Sequence, residues 1–420
     1  MWPMPLFASL PGTSVLGDAG KFLAALAPVS AGALPAVTAL LSAALVLGLT
    51  PAVQRRALAA RLVDRPAHRR QHRGLVPRAG GVVVISAVFL AAAIGAIRAP
   101  ADDREAVAAI LISAAVVFLT GVWDDRTNLG PWAKLAGLIL AAGMAAMGGI
   151  RLEGLGGPGD WLAVVVTIGW LTVSANAWNV IDGSDGLAAG LAVVAALALI
   201  FRAGQGLEGA VALLALPLAT GLLAFLRFNA PPASIFLGDG GSLTIGFLLG
   251  CLTIQCVSNS PTVPGQPLTE LFWASLVMAL PLADLLLAVA RRLIWRRPVM
   301  RGDREHLHHR LLDRGWTPRR LGTTMAVVAG LLAIPAVMPS GPEPEPRRAL
   351  AVVCLTGGVL AVRPLLRSEW DEIKRRLLGS GRAERTVSGA AAGSKPGNVR
   401  MAAGLDACVP AQASCPSGRR

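Results

Sequence analysis

Residues 161–187 read WLAVVVTIGWLTVSANAWNVIDGSDGL, an apolar run that passes directly into a series of polar residues. The apolar part approaches the roughly 20 residues that a helix needs to cross the hydrocarbon core of a bilayer. The polar part places Asn176, Asn179, Asp182 and Asp185 at every third position. Amides and acids at the end of an apolar helix are tolerated where they line a cavity. The stretch therefore predicts a membrane helix with a polar, functional end.

The composition of the 420-residue chain agrees with a membrane protein, since 54% of its residues are hydrophobic and only 15% are charged. Soluble proteins carry about 25% charged residues, so this chain has too few charges to cover a surface that faces water. The apolar content also excludes a chain that is disordered throughout. Five cysteines are too few, and odd in number, for a disulfide scaffold.

Eleven apolar runs bounded by charge, proline or glycine predict an all-α, polytopic integral membrane protein with about 11 transmembrane helices. The predicted spans cover residues 31–53, 81–98, 105–123, 132–150, 161–178, 187–203, 208–226, 241–258, 270–290, 321–339 and 347–362. We expect an extracytoplasmic N-terminal segment over residues 1–30 and a transmembrane domain over 31–365. Residues 366–420 are expected to form a basic, largely disordered cytoplasmic tail.

The basic residues predict the orientation of these helices in the membrane. Of the 39 Lys and Arg residues, 31 fall in alternate loops and the C-terminal tail, and seven fall in the other loops and the N-terminal segment. Lys134, which lies just inside a predicted helix, belongs to neither count. Because basic loops remain in the cytoplasm, we expect the N-terminus outside and the C-terminus inside. The net charge of +14 then reflects topology, and no nucleic-acid partner is expected.

The concentrated polar motifs all fall in the predicted cytoplasmic set of loops. The first begins at Asp64, continues through His72 and several arginines, and ends at Gly80-Gly81. Arg and His can donate to phosphate oxygens, and paired glycines let the backbone approach a ligand closely. This loop therefore predicts an anion-binding segment, with a plain basic loop as the alternative.

Two further motifs place carboxylates at the ends of apolar helices. Asp124 and Asp125 end one predicted span, where acids interact unfavourably with the helix dipole, so a site is favoured over simple helix termination. Residues Gly238–Ser242 (GDGGS) open another span. There, backbone N–H groups are free for anions and Asp239 can hold Mg²⁺; a capped helix start is the alternative.

The Asn176–Gly186 run cannot present all its polar side chains from one straight helix, because each step of three residues falls about 60° short of a full turn. Gly183 and Gly186 can break the helix and re-aim the chain. Two amides and two acids that converge suit a hard cation or a sugar phosphate. The alternative is an Asn/Asp/Gly turn without a function.

The last motif is the histidine-rich loop of His306, His308, His309 and Arg310. Recognition of a diphosphate or sugar is favoured there over a solvated basic loop. It is also favoured over zinc, because no Cys is near and the acids elsewhere suit an oxygen-loving ion. Asp284, inside an apolar span, is either a functional residue or part of a structural ion pair with the arginines that follow it.

Together these motifs resemble the polyprenyl-phosphate N-acetylhexosamine-1-phosphate transferases, integral membrane enzymes that begin lipid-linked glycan assembly. The marks of that family stand here in order, as an Asp-Asp pair, an Asn-x-x-Asn-x-x-Asp-Gly-x-Asp-Gly run, a Gly-Asp-x-Gly-Ser element and a His-x-His-His loop. The predicted helix count and the His-Leu-His-His-Arg form are more similar to the WecA and TagO branch than to the MraY branch. One departure is Arg78, at a position where an apolar residue is expected.

The resemblance implies transfer of an N-acetylhexosamine 1-phosphate, with GlcNAc-1-phosphate expected, from a UDP-sugar to undecaprenyl phosphate with release of UMP. This would be the first step of a cell-envelope polysaccharide such as lipopolysaccharide or teichoic acid. The resemblance also implies Mg²⁺, with Mn²⁺ as an alternative. It implies a bacterial inner (plasma) membrane location and an active site that faces the cytoplasm. Undecaprenyl phosphate, a UDP-N-acetylhexosamine and the bilayer are the implied partners, and a homodimer is left open.

The resemblance also implies roles for individual residues. Asp239, followed by Asn179, is the implied metal ligand. The implied catalytic residues are Asp124, Asp125, Asp182 and Asp185, and the division of roles between the first two stays open. The implied substrate-binding residues are His72, Asn176, His306, His308, His309 and Arg310.

A multi-pass transporter or lipid flippase is the alternative from another class, because broken helices with charged residues also suit transporters. Transport sites lie near the middle of the membrane, whereas these motifs gather at one face and no repeat relates the two halves of the chain. A non-catalytic homologue is disfavoured, since every acidic motif residue is present.

Overall fold

The computed structural model describes residues 33–60, 63–64, 76–155, 160–204, 209–258, 267–298, 306–338, 349–354 and 356–357. Over these ranges the regular structure is helical apart from a short antiparallel strand pair. The predicted all-α membrane class is therefore confirmed. The predicted segments 1–30 and 366–420 lie outside the described residues.

In chain order the α-helices are α1 (Leu34–Ala59), α2 (Gly80–Ala96), α3 (Ala101–Thr127), α4 (Pro131–Met147), α5 (Trp161–Ile181), α6 (Leu187–Ala203), α7 (Gly209–Asn229), α8 (Asp239–Ser258), α9 (Pro267–Ser275), α10 (Ala279–Ile294), α11 (Leu307–Asp313) and α12 (Pro318–Val337). Strands β1 (Val63–Asp64) and β2 (Val76–Pro77) pair between α1 and α2. A 3-10 turn over Leu276–Met278 joins α9 to α10.

The predicted spans can be compared with these helices directly. Ten of the eleven coincide with a helix, although the span predicted over 270–290 is divided into α9, the 3-10 turn and α10. Seven helical segments of the described chain are long and apolar enough to cross a membrane, whereas α2, α4 and α6 are shorter, at 17 residues each. The span over 347–362 lies mostly outside the described residues. The total of eleven and the orientation of the termini stay predictions.

Helix α8 lies at the centre of the described helices, since every residue from Gly240 to Val257 is buried. It packs against α2, α3, α5, α6 and α9. A helix that is apolar on all sides belongs in such a fully enclosed position. Because α8 begins at Asp239, the most enclosed helix carries an acid at its first residue.

Several helix ends meet around that acid. Helix α3 ends at Thr127 and α4 begins at Pro131, while α5 ends at Ile181 and α6 begins at Leu187. The break predicted after α5 is therefore confirmed, and Gly186 takes a left-handed φ of 70° just before α6. The polar motifs come together because they occupy the ends of neighbouring helices.

Candidate active site

A lysine and three oxygen-bearing side chains from four different helices converge at one point. The Lys134 ammonium lies 3.0 Å from Asp124 Oδ2 and 3.2 Å from Asn179 Oδ1, and it also bonds Asp239 Oδ2. The Asn179 amide donates to Ser242 Oγ at 3.0 Å, so its oxygen is left to face the lysine. Asp124, Lys134, Asn179 and Asp239 form what we call the acid–lysine cluster.

Lys134 is the member of this cluster that the sequence prediction missed. Its side chain is 16% exposed and its ammonium contacts two carboxylates. A buried cation near the start of an apolar helix is unfavourable unless it is paired or functional. The signal that could have found it is a lone lysine in an apolar run that begins soon after two adjacent acids.

Asp125 has partners that differ from those of Asp124. Its carboxylate accepts the backbone N–H of Asp239 at 2.9 Å and that of Gly240 at 3.0 Å, so it caps the N-terminus of α8. The prediction that these N–H groups are free for an external anion is therefore wrong, because a carboxylate of the protein already binds them. Asp124 faces the lysine, and Asp125 holds the start of the helix that carries Asp239.

Close contact between α3 and α8 makes this arrangement possible. A Cβ atom at Gly121 would lie 2.6 Å from the Asp239 carbonyl oxygen and 2.6 Å from Gly240 Cα. Only glycine fits there without moving backbone, and small residues let membrane helices approach closely. Gly121 lies about one helical turn before Asp125, so the approach brings the carboxylate within reach of α8.

The other polar residues of the Asn176–Gly186 run have local or loop partners. Asn176 donates to the Thr172 carbonyl of its own helix at 2.8 Å. Asp185 accepts the backbone N–H of Ala233 at 2.9 Å, in the loop that leads into α8. The run thus contributes Asn179 to the acid–lysine cluster, whereas Asp185 contacts the loop that positions α8.

The charged residues of the site act on the carboxyl group of Asp182. Burial raises the pKa of the Asp182 carboxyl well above its usual range, and the charges of Asp239 and Asp125 raise it further. The positive charge of Arg78 acts in the opposite direction. Arg78 follows β2 and forms a bridge with Phe236 of the loop before α8. The arginine that departs from the family pattern therefore brings positive charge to the site.

The structure corrects the prediction that Gly80 and Gly81 of the first motif let the backbone approach a ligand. The N–H of Gly80 donates to the Phe236 carbonyl at 2.9 Å, and that of Gly81 donates to the Leu237 carbonyl at 2.7 Å. The glycine pair therefore approaches the backbone of the loop before α8, and not a ligand as predicted. His72 lies outside the described residues, so its phosphate-binding role stays a prediction.

The histidines gather around Asp284. Its Oδ2 lies 3.5 Å from His306 Nδ1 and 3.6 Å from His308 Nδ1, and its Oδ1 accepts the Leu307 N–H at 2.9 Å. The rings of His308 and His309 are also in contact, with centroids 4.2 Å apart. Asp284 thus positions the histidine loop. The sequence left open whether Asp284 is a functional residue or part of a structural ion pair, and these contacts give it a structural role beside predicted functional residues. We call these three histidines and Asp284 the histidine cluster.

The histidine cluster packs on the turn that follows α5. A Cβ atom at Gly183 would lie 2.1 Å from His308 Nε2, and His308 is only 1% exposed. A glycine is therefore required for the two segments to meet. Arg310 follows in α11, where its N–H donates to the His306 carbonyl. The predicted sugar or diphosphate residues thus lie beside the turn that carries Asp182.

The oxygen atoms of the acid–lysine cluster fit a hard divalent cation. Carboxylate and amide oxygens are the ligands that Mg²⁺ prefers in proteins, and those of Asp124, Asn179 and Asp239 already converge on one cation, the ammonium of Lys134. Over the described ranges, no three His, Cys, Asp or Glu side chains are grouped so as to hold a metal. Two acids and an amide suit Mg²⁺, which usually keeps water and substrate phosphate oxygens among its ligands.

The fold and the site define a polytopic membrane protein whose acid–lysine cluster lies at one end of its helices. Residues 107–257 match the model of glycosyl transferase family 4. The matched region contains all four residues of the acid–lysine cluster, together with Asp125, Asp182 and Asp185.

Three relatives extend this match. The decaprenyl-phosphate N-acetylglucosaminephosphotransferase of Mycobacterium tuberculosis is 34% identical over 345 residues, which cover 74% of this chain and 85% of the relative. The probable undecaprenyl-phosphate N-acetylglucosaminyl 1-phosphate transferase of Bacillus subtilis is 29% identical over 300 residues, or 70% of this chain and 81% of the relative. The undecaprenyl-phosphate alpha-N-acetylglucosaminyl 1-phosphate transferase of Escherichia coli K12 is 29% identical over 286 residues, or 65% and 75%.

The chain therefore belongs to glycosyl transferase family 4, among its polyprenyl-phosphate sugar-1-phosphate transferases. This membership confirms the resemblance carried by the motifs. It also favours a transferase over the alternative of a multi-pass transporter or lipid flippase.

Proposed function

We propose that the chain transfers N-acetylglucosamine 1-phosphate from UDP-N-acetylglucosamine to undecaprenyl phosphate and releases UMP. Family membership supports a polyprenyl-phosphate acceptor, and the names of the three relatives support the sugar. The observation that carries the proposal is the convergence of Asp124, Asn179 and Asp239 on the Lys134 ammonium. Such a centre suits phosphoryl transfer, in which positive charge must bring two phosphorylated substrates together.

In the proposed reaction, a phosphate oxygen of the lipid attacks the phosphorus atom next to the sugar. The bond from that phosphorus to the bridging oxygen breaks, UMP leaves with the electron pair, and the sugar becomes linked to the lipid through a diphosphate. Transfer of this kind depends mainly on positioning and on neutralisation of charge. The residues of this site are therefore assigned to those two tasks.

The two adjacent acids take separate roles in this proposal. The Oδ1 atom of Asp124 accepts the Leu129 N–H at 2.6 Å, so its Oδ2 is left to face the centre. From there Asp124 orients the Lys134 ammonium. If a metal took the oxygens of Asp239 and Asn179, the two N–H donors that now bond them would be released to bind substrate phosphate oxygens. Asp125 is a positioning residue, since it acts through the backbone of Asp239.

The histidine cluster completes the proposed substrate site. His308 lies against Gly183, directly after Asp182, and His309 contacts His308. The half-buried His309 can donate from its imidazole N–H to the diphosphate or to the sugar hydroxyls, whereas His306 and His308 are buried against Asp284. Arg310 and His72 keep the substrate-binding roles implied by the resemblance.

We assign the metal ligands to Asp239 and Asn179, with Asp124 beside them. Bound Mg²⁺, or Mn²⁺ in its place, neutralises diphosphate charge and stabilises the leaving phosphate. Metal binding is testable without turnover, by titrating the purified protein with Mn²⁺ and following the electron paramagnetic resonance signal. Binding should fall sharply in Asp239→Asn, and unchanged Mn²⁺ affinity in that variant would contradict the assignment.

We further propose that the protein lies in the bacterial inner membrane with this site at the cytoplasmic face, as the distribution of basic residues predicts. Single cysteines at Asp102 and at Arg126 lie at opposite ends of α3 and test this in a variant without native cysteines. In intact cells an impermeant thiol reagent should label the first position and spare the second. The reverse pattern would contradict the orientation.

The homodimer that the sequence left open is tested separately, by crosslinking the protein in the same membranes.

The activity itself is tested with membranes that contain the protein, undecaprenyl phosphate, Mg²⁺ and a panel of labelled UDP-sugars. We expect lipid-extractable label and UMP from UDP-N-acetylglucosamine, and neither product when a chelator removes the metal. A product from UDP-N-acetylgalactosamine alone would correct the sugar and leave the reaction type intact. No product and no UMP with any sugar would contradict the transferase.

A further inference from the structure

Outside the active site, two arginine–tryptophan pairs lie at the same end of the described helices. The Arg297 guanidinium lies 4.8 Å from the ring centroid of Trp295, just after α10, and that of Arg320 lies 4.3 Å from the ring of Trp316, at the start of α12. Both tryptophans are half-buried, whereas both arginines are exposed. With the exposed Arg296, these residues form what we call the basic–aromatic patch.

The patch adjoins surface that faces lipid tails. Leu293 and Ile294, which end α10, are 62% and 51% exposed, and Val327 and Leu331 on α12 are 62% and 42% exposed. In a membrane protein, exposed apolar side chains on a helix of this kind contact the hydrocarbon. From Leu293 to Arg297 the chain thus passes from apolar side chains to tryptophan to arginine. A bilayer passes from tails to interface to headgroups in the same order.

The charge around the patch is strongly one-sided. The described residues 291–298 and 306–320 contain eight arginines and one acid. A basic loop alone satisfies the orientation rule and needs no fixed arrangement of its side chains. Here, however, two guanidiniums lie over aromatic rings, which limits their freedom before any ligand arrives. Preorganised donors bind an anion with a smaller loss of conformational entropy.

We propose that the basic–aromatic patch binds headgroups of anionic phospholipids in the surrounding leaflet. The guanidiniums of Arg296, Arg297 and Arg320 donate to phosphate oxygens, and the two tryptophan rings contact the glycerol region and the upper acyl chains. The proposal is independent of the transferase reaction, because no patch residue belongs to the acid–lysine cluster or the histidine cluster.

The test measures lipid binding by the purified full-length chain in neutral detergent, using native mass spectrometry. The probes are phosphatidylglycerol, phosphatidylcholine, and glycerol 3-phosphate as a soluble headgroup. Each basic residue near an anionic lipid contributes about fivefold to affinity. The variant with Arg296→Gln, Arg297→Gln and Arg320→Gln should therefore bind phosphatidylglycerol on the order of a hundredfold more weakly. Its binding of phosphatidylcholine should be unchanged, and glycerol 3-phosphate should bind weakly to both proteins.

A matched control removes the same charge from the other end of the helices, through Arg98→Gln, Arg104→Gln and Arg151→Gln. We expect this variant to retain its affinity for phosphatidylglycerol. A third variant, with lysine at the three patch positions, keeps the charge and loses the planar guanidinium, which stacks on a ring and donates to a phosphate as a fork. It should bind about two- to fivefold more weakly, and it keeps the test valid if the glutamine variant does not fold.

Three outcomes would overturn the proposal. The first is equal affinity for phosphatidylglycerol in the wild-type protein and in the glutamine patch variant. Equal affinity in the wild-type protein and in the lysine variant, at both high and low salt, has the same meaning. Another is an equal loss in the matched control, which would indicate only an effect of net charge. The third is binding of glycerol 3-phosphate as tight as that of phosphatidylglycerol, which would identify a site for a free phosphate.

Discussion

Two groups of charged residues lie at opposite ends of the described helices, and each is built from helices that the other does not use. At one end is the acid–lysine cluster. At the other, Arg202 near the end of α6 donates to Glu270 Oε2 at 2.7 Å and to the Ala336 carbonyl at 2.6 Å. Both groups combine acid and base between helices that are otherwise apolar, so their chemical composition alone does not separate them.

The two groups differ in the balance of their charges and in the exposure of their side chains to solvent. Arg202 and Glu270 match one positive charge to one negative charge, and their side chains are only 3% and 11% exposed. In the acid–lysine cluster two carboxylates share one ammonium, and the Asp239 side chain is 28% exposed. A closed, balanced pair joins helices. An open group with more acid than base can accept a further cation, and such arrangements are typical of functional sites.

The largest effect on turnover is expected from Asp239→Asn. The change preserves size and removes the charge that faces the centre, so the transfer rate should fall by about a thousandfold. UMP release from membranes with matched protein content measures it. Asp102→Asn, an exposed acid on α3, is the control and should retain full activity. Normal turnover in Asp239→Asn would remove the basis for the metal assignment.

Gly121→Ala should have the next largest effect. The added Cβ would meet the backbone of Asp239 at 2.6 Å, so α3 and α8 must separate and the site loses its geometry. Displacements of about 1 Å reduce rates by about a hundredfold. Gly190→Ala on α6, where nothing lies within 4 Å, is the matched control. If both alanine variants are equally active, the close helix contact does not position the site.

A smaller loss is expected from Asp125→Asn. One amide oxygen replaces two carboxylate oxygens as acceptor for two N–H groups, so turnover should fall about tenfold and stability by about 1–2 kcal/mol. Mn²⁺ affinity should fall less than in Asp239→Asn, because Asp125 acts through the backbone. An Mn²⁺ affinity reduced as far as in Asp239→Asn would make Asp125 a metal ligand.

Arg202→Met should leave turnover per folded molecule unchanged while it lowers stability. Removal of one partner of a buried ion pair typically costs about 3–5 kcal/mol, and replacing both with apolar residues often restores stability. Thermal unfolding of the detergent-solubilised protein should therefore show a large loss in Arg202→Met and recovery in the double variant Arg202→Met/Glu270→Met. A loss of turnover without a loss of stability would place the pair in the reaction.

The sequence predicts much of the fold because apolar length and periodic breaks are local properties. Ten predicted spans coincide with helices, and the break after α5 lies where Gly183 and Gly186 indicate it. The meeting of Asp124, Asn179 and Asp239 was also predictable, since each lies in a motif at one end of a helix.

The remaining features depend on how distant helices are rotated against each other. Asp124 and Asp125 are adjacent in sequence but have different partners. The close contact of Gly121 with α8 brings the Asp125 carboxylate to the backbone N–H of Asp239. Lys134 is a single residue in an apolar run, and its role appears only when α4 is placed beside α8. The local pattern can mark Lys134 as unusual, but it does not say which side chains Lys134 contacts.

The central claim is that the phosphate next to the sugar moves to the lipid together with the sugar. It is tested most directly with UDP-N-acetylglucosamine labelled at each of its two phosphorus atoms in separate reactions. The account predicts that the sugar-proximal label enters the lipid fraction and that the other label leaves as UMP. Release of both labels together as UDP, with the sugar alone on the lipid, would contradict the account.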